Sequence, residues 1–269
     1  MNFYEEIIYK LQYQIEQPKM YGVFHLGAIF ICILFIISLL INIKKKDFKT
    51  VRKYITISII ILLILETLKL SIYSFTYDKG TNTGIWEFDW YVLPVSFCSM
   101  PLYIGTLSFF FRKGKFLDSL YLFLGTYGLI GGLLVMLFPS TVLSGTLFLS
   151  IQTFVHHGFM LAMGLVILSK IFTPSKRTLL NAIIIFTILV SIGTILNVVF
   201  YYTGIHCNAF TMSPYLKSDL PVFSNLFGIV NSWILILLYI LVFSLGSCAV
   251  YGIRAYLHQI YYNRHYSFA

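Results

Sequence analysis

The chain has 269 residues, 58% of them hydrophobic and 11% charged, with a net charge of +9 and a mean hydropathy of +0.84. A soluble domain of that length would lack the polar surface it needs, so lipid is the expected solvent for much of it. With no water to pair the backbone, only helices or a closed barrel remain. Apolar runs well past about 18 residues, without period-two alternation, select helices.

The first residues set Phe3, Ile7, Ile8, Leu11 and Ile15 at helical spacing, with Glu5, Glu6 and Lys10 between them and Pro18 as a stop. This predicts an amphipathic helix within 1–18, lying on the membrane surface. The segment has no basic start, so it is not expected to be a cleavable signal peptide. Spans follow near 21–43, 54–76, 90–111, 116–138, 149–172, 179–203 and 225–253, each long enough to cross a core of about 30 Å. Gly125, Gly128, Gly131 and Gly132 crowd the fourth, which predicts close helix packing through small residues. The one long connection, 204–224, holds Pro214 and Pro221, and a partly re-entrant path is open to it. No repeat, low-complexity tract or linker divides the chain, so one transmembrane domain over 1–269 is expected.

The connections after spans one, three and five, with the tail, hold 14 of the 19 Lys and Arg residues, among them Lys44, Arg52, Arg112, Lys170, Arg254 and Arg264. The other side holds Lys10, Lys19, Lys79 and Lys217, while Lys69 lies inside span two. Such alternation fits about seven spans, with the amino terminus outside and the carboxyl terminus in the cytoplasm. In a soluble protein the positive balance would suggest nucleic acid. Here the cations report topology, and no nucleic-acid partner is expected.

Polar groups within spans need a partner, a cavity or a task. At 1.5 Å per residue, Cys98 lies about 12 Å inside the outer end of its span, and His156 and His157 about 11–12 Å inside theirs. Glu66 and Lys69 come about 10–15 Å before the outer end of span two. His25, Asn197 and Asn231 sit in the outer halves of their spans. Six spans therefore share one polar depth, which predicts a cavity opening outward or into the outer leaflet, with Gln152 and Asn208 among its lining. Each member also has a plain reading. Glu66 and Lys69 at i, i+3 neutralise each other, His25 meets headgroups or water, and the asparagines act as interhelical glue.

Cys98 stands in Leu93-Pro94-Val95-Ser96-Phe97-Cys98-Ser99-Met100-Pro101, bracketed by prolines that each remove a helix hydrogen bond. The span is expected to kink there and leave carbonyls facing the cavity. A histidine at matching depth would take the thiol proton, and a cysteine with a histidine in a lipid-accessible pocket suggests acyl transfer through a thioester. Adjacent histidines point about 100° apart on a helix, and neither HxxxH nor HExxH occurs, so no metal site is expected. The four cysteines, Cys32, Cys98, Cys207 and Cys248, have no CxxC spacing and imply no disulfide framework.

Phe24-His25-Leu26, Glu66, Leu93 to Ser99, Val155-His156-His157-Gly158 and the loop with Asn208 and Ser213-Pro214 together resemble the YwaF-like bacterial membrane proteins. Those are related to the eukaryotic transmembrane protein 164 acyltransferases. The resemblance covers most of the chain. It implies a Cys–His acyltransferase or transacylase moving acyl chains between glycerophospholipids, with a membrane phospholipid or lysophospholipid as substrate and no cofactor. Cys98 matches the family nucleophile, and the histidine falls most naturally on His157, with His156 one residue away. The family's histidine two residues before the cysteine is Ser96 here, and Asn208 is followed by Ala209 instead of an aromatic. The alternative is a binding or transport protein whose polar cavity holds a solute or lipid and whose Cys98 is inert.

Overall fold

The computed structural model describes residues 1–171 and 175–266. Phe172, the last residue of the fifth predicted span, lies outside them, as does the side chain of Arg264. The chain is a helical bundle. Helix α1 (Phe3–Leu11) opens it, followed by α2 (Val23–Ile43) and α3 (Phe48–Ser74). A two-stranded antiparallel hairpin comes next, β1 (Phe75–Asp78) with β2 (Thr83–Trp86). Then come α4 (Met100–Ser108), α5 (Lys115–Phe123), α6 (Leu129–Leu137), α7 (Leu147–Lys170) and α8 (Lys176–Thr203). The short α9 (Pro221–Leu226) and the long α10 (Ser232–Tyr266) finish it.

Among the described residues, six helices are long and apolar enough to cross a membrane, with α5 and α6 acting as one through a π-helical turn at Leu124–Gly128. The chain is therefore a multi-pass α-helical membrane protein. Within their spanning windows α5–α6 and α7 are each 72% buried, whereas α2 is 11% buried. The first two form the centre, and α2, α3, α8 and α10 turn most of their surface outward. The glycines of the fourth span explain that centre. A Cβ on Gly132 would lie 2.8 Å from the His157 carbonyl and 2.9 Å from the Leu161 nitrogen. Both are backbone atoms on α7, so only glycine permits this approach.

The third predicted span is the main correction. Segment 90–111 is not one helix. It consists of a 3-10 turn at Trp90–Val92, extended chain, a second 3-10 turn at Phe97–Ser99 and the nine-residue α4. It still runs the length of α3, because Glu87 N donates to Ser74 O at one end and Arg52 donates to the Phe111 and Arg112 carbonyls at the other. The prolines decide its form. Pro94 drives Leu93 to extended geometry, whereas Pro101 sits in the first turn of α4, where its missing N–H loses nothing. The seventh predicted span also starts late, at Ser232, because Phe227 leaves helical geometry.

The amphipathic pattern at the start gives a shorter helix than predicted. Asn2 and Glu5 form a capping box on α1, and Ile8 is fully buried beside Ile72, Phe75 and Leu149. Residues past Leu11 leave the helix and tie down the same end, through Gln12 to the Ile72 and Phe75 carbonyls and Gln17 to the Leu143 carbonyl. At the opposite end the basic residues do more than mark topology. Arg52 holds the carbonyls that end α4, Lys170 donates to the Lys44 carbonyl closing α2, and Arg254 donates to the Leu168 carbonyl near the end of α7. Cations on helix carboxyl ends satisfy carbonyls that the helix itself leaves open.

Gly132→Ala is expected to lose about 1–3 kcal/mol by forcing α6 off α7. Gly27→Ala, where a Cβ meets nothing within 4 Å, should not destabilise. Thermal unfolding of both variants in detergent checks this, and equal melting points would sink the close-packing account.

Candidate functional site

A cavity of about 610 Å³ occupies the bundle at the end capped by α1. Gln17, Tyr91 and Asp219 lie at its rim, and Phe97, Gly131, Tyr239 and Phe243 form its floor. Of the predicted site residues, Cys98, His156, His157, Glu66, Lys69, Gln152 and Asn208 all line it. They come from α3, the broken segment, α7 and the loop after α8, elements that meet only in the tertiary structure.

Three predicted pocket residues do not line it. His25 is fully buried, but its Nδ1 accepts from Tyr21 N at 2.8 Å and its Nε2 donates to Met136 O at 2.9 Å, so it ties α2 to the end of α6. Asn197 is 1% exposed and engages one residue twice, accepting from Ala209 N at 2.6 Å and donating to Ala209 O at 3.0 Å. Asn231 is exposed and accepts from Trp233 N at the start of α10. Shared depth is a weaker condition than shared cavity, because a helix presents each depth to several neighbours.

Cys98 lies in the 3-10 turn that leads into α4, at the positive end of that helix. The prolines were expected to leave carbonyls facing the cavity, yet every freed carbonyl nearby has a partner. Pro94 O accepts from Tyr103 Oη, Val95 O from Phe210 N at 2.7 Å, Ser96 O from Ser99 N at 3.1 Å, and Cys98 O from His156 Nε2 at 3.2 Å. The thiol itself makes no hydrogen bond among the described residues.

The histidine pair follows from these bonds. His157 donates Nδ1–H to the Thr153 carbonyl at 2.7 Å, because a carbonyl can only accept, and its buried Nε2 is left bare. His156 has the opposite arrangement, with Nε2–H given to Cys98 O and a bare Nδ1 lying 4.0 Å from Glu66 Oε2. The rings stand 5.2 Å apart at 48°. Glu66 in turn pairs with Lys69, Oε1 to Nζ at 2.5 Å, and both line the cavity with Cys98. Gly158 follows His157 because α2 crosses there: a Cβ would sit 2.5 Å from Cys32 Sγ.

The loop after α8 dips into the bundle, as its prolines allowed. Phe210 and Thr211 adopt left-handed φ of 57° and 54°, and a Cβ on Gly193 would lie 2.3 Å from the Phe210 ring. Gly193 is about 15 Å along α8 from its end, so the loop tip reaches that depth. Asn208 shapes the turn by accepting from Ser213 N at 2.8 Å and donating to Lys217 O at 3.2 Å. Sequence reading missed Tyr239, whose hydroxyl is fully buried on the cavity floor, without a hydrogen-bond partner among the described residues. Its one signal was a phenol inside an apolar span, which counts as an intramembrane polar group like any histidine.

Asn197→Leu orphans both Ala209 backbone groups and should destabilise by about 1–3 kcal/mol for each. Cys207, 3% exposed, should become reactive to maleimide as the loop loosens. A protected Cys207 with an unchanged melting point would show that Asn197 does not hold the loop.

No curated protein and no solved structure matches the chain. A family model does, over residues 20–251, the greater part of the sequence and all of the cavity except Gln17. On that match the chain belongs to the TMEM164 family of multi-pass membrane proteins.

Proposed function

We propose that this protein is a membrane-embedded acyltransferase that moves fatty acyl chains between glycerophospholipids through a thioester on Cys98. The observation that supports it most directly is one of unused valences. An unpaired thiol at a helix amino terminus shares a cavity with two buried imidazoles, each of which keeps one bare nitrogen. Family membership and the apolar wall formed by Leu134, Val135, Leu143 and Leu149 support a lipid as the occupant.

In the acylation step the thiol proton passes to His157 Nε2, and Sγ attacks the ester carbonyl carbon. The new S–C bond forms, the ester C–O bond breaks, and the departing glyceryl oxygen takes the proton from His157. A lysophospholipid hydroxyl, or water, reverses the sequence. His157 fits the base role better than His156, because its Nδ1–H is held by a carbonyl and its bare nitrogen is not turned to a carboxylate. His156 holds the Cys98 carbonyl and so positions the nucleophile. The basic end of the bundle faces the cytoplasm in this reading, so the cavity opens toward the outer leaflet.

Incubation of the purified protein with phospholipid should add an acyl-sized mass that hydroxylamine removes. Cys98→Ala should show none, and His157→Gln should slow adduct formation by about 10²–10⁴-fold. Absence of any adduct on folded protein, even with an activated acyl donor, would instead favour a binding or transport cavity. For orientation, a cysteine introduced at Gly80 should react with an impermeant maleimide in intact cells, and one introduced at Lys46 should not. The reverse pattern would invert the topology.

A further inference from the structure

We propose that the Tyr239 hydroxyl donates the hydrogen bond that stabilises the oxyanion formed when Cys98 attacks its ester, a role that rests on the acyltransferase reading above. Tyr239 lies about 10 Å along α10 from its outer start, and it lines the same cavity as Cys98 and the histidines. Its ring is locked. Phe243, Phe223, Phe186 and Phe97 surround it with centroids at 4.6, 5.7, 6.0 and 6.4 Å. Phe97 immediately precedes Cys98, so the same cage fixes the ring and the nucleophile's turn relative to one another.

The hydroxyl that this cage presents lines the cavity, is fully buried and has no hydrogen-bond partner among the described residues. Cys98 lines the same cavity, and Phe97, the residue before it, stands edge-on to the Tyr239 ring. Other polar groups of the same helix are treated differently. Ser244 pairs with Tyr127 Oη at 3.2 Å and Ser247 with Thr126 Oγ1 at 2.9 Å. A buried donor left open beside a nucleophile is the arrangement that stabilises a charge present only in the transition state. Three other donors on the cavity wall are engaged: Lys69 is paired with Glu66, the Asn208 amide donates to Lys217 O, and Ser96 Oγ lies against Ser99 Oγ.

The electrons balance without a cofactor. Attack by Sγ moves the carbonyl π pair onto oxygen, Tyr239 O–H donates to that oxyanion without giving up its proton, and collapse restores the C=O as the ester C–O bond breaks. The group returns to its starting state each turnover.

Tyr239→Phe removes the hydroxyl and keeps the ring. With a diacyl phosphatidylcholine in mixed micelles as probe, the adduct on Cys98 should form about 10²–10³-fold more slowly, at an unchanged half-saturating lipid concentration. The melting point should hold or rise, because the lost hydroxyl has no partner. Adduct formation as fast as in the unmodified chain would overturn the role while leaving the acyltransferase reading intact. Absence of an adduct in the unmodified chain itself would overturn both. Should the phenylalanine variant fail to fold, 3,5-difluorotyrosine at 239 retains the ring and ionises at lower pH. Acylation should then fall as pH rises through that ionisation, and a pH profile identical to that of the natural residue would sink the proposal.

Discussion

A backbone that runs at membrane depth without being helical must find every hydrogen bond in the rest of the protein, and residues 87–99 are such a backbone. Lipid offers no donors, and each unsatisfied group there would cost several kcal/mol. The partners come from three directions: Tyr103 on Pro94 O, the dipped loop's Phe210 on Val95 O, and His156 on Cys98 O. The loop can reach Val95 only because Asn197 grips Ala209 and Gly193 leaves room for the Phe210 ring. The features that build the cavity are therefore the same ones that make the broken segment tolerable.

The two ends of the bundle divide the work. At the basic end, Arg52, Lys170 and Arg254 close helix carboxyl termini, so the charge asymmetry that orients such a protein also stabilises it. At the other end the chain spends its short helices, hairpin and loop on covering and lining one space. α1 lies over that end through Ile8, and Gln12, Gln14 and Gln17 hold the surrounding carbonyls and hydroxyls. Rigidity at the centre comes from α6 and α7, whose contact at Gly132 leaves no space for a methyl group. His156 and His157 ride on that contact, which supplies the fixed geometry that chemistry at the site requires.

Much of this was legible beforehand, for a physical reason. Six of seven spans are long apolar runs, and hydropathy is a local property that survives whatever the neighbours do. The glycine cluster and the loop prolines also read correctly, because each residue constrains its own backbone. The third span misled because its hydropathy matches that of a helix, while Pro94 denies it the geometry. The hairpin β1–β2 was missed because each strand is four residues long, too short for a period to show. Within the site, depth assembled the right neighbourhood but also admitted His25, Asn197 and Asn231, whose side chains face other work.

By itself the sequence determined that this chain lives in lipid, how many apolar stretches it carries and which end gathers the positive charge. Those follow from composition and from the length and order of the apolar runs. Only the tertiary structure decided which imidazole nitrogens are bare, which carbonyls are spoken for and that Tyr239 has no partner. Such facts depend on azimuth around each helix and on the loop that fills the gap between them, and neither is encoded in any one segment.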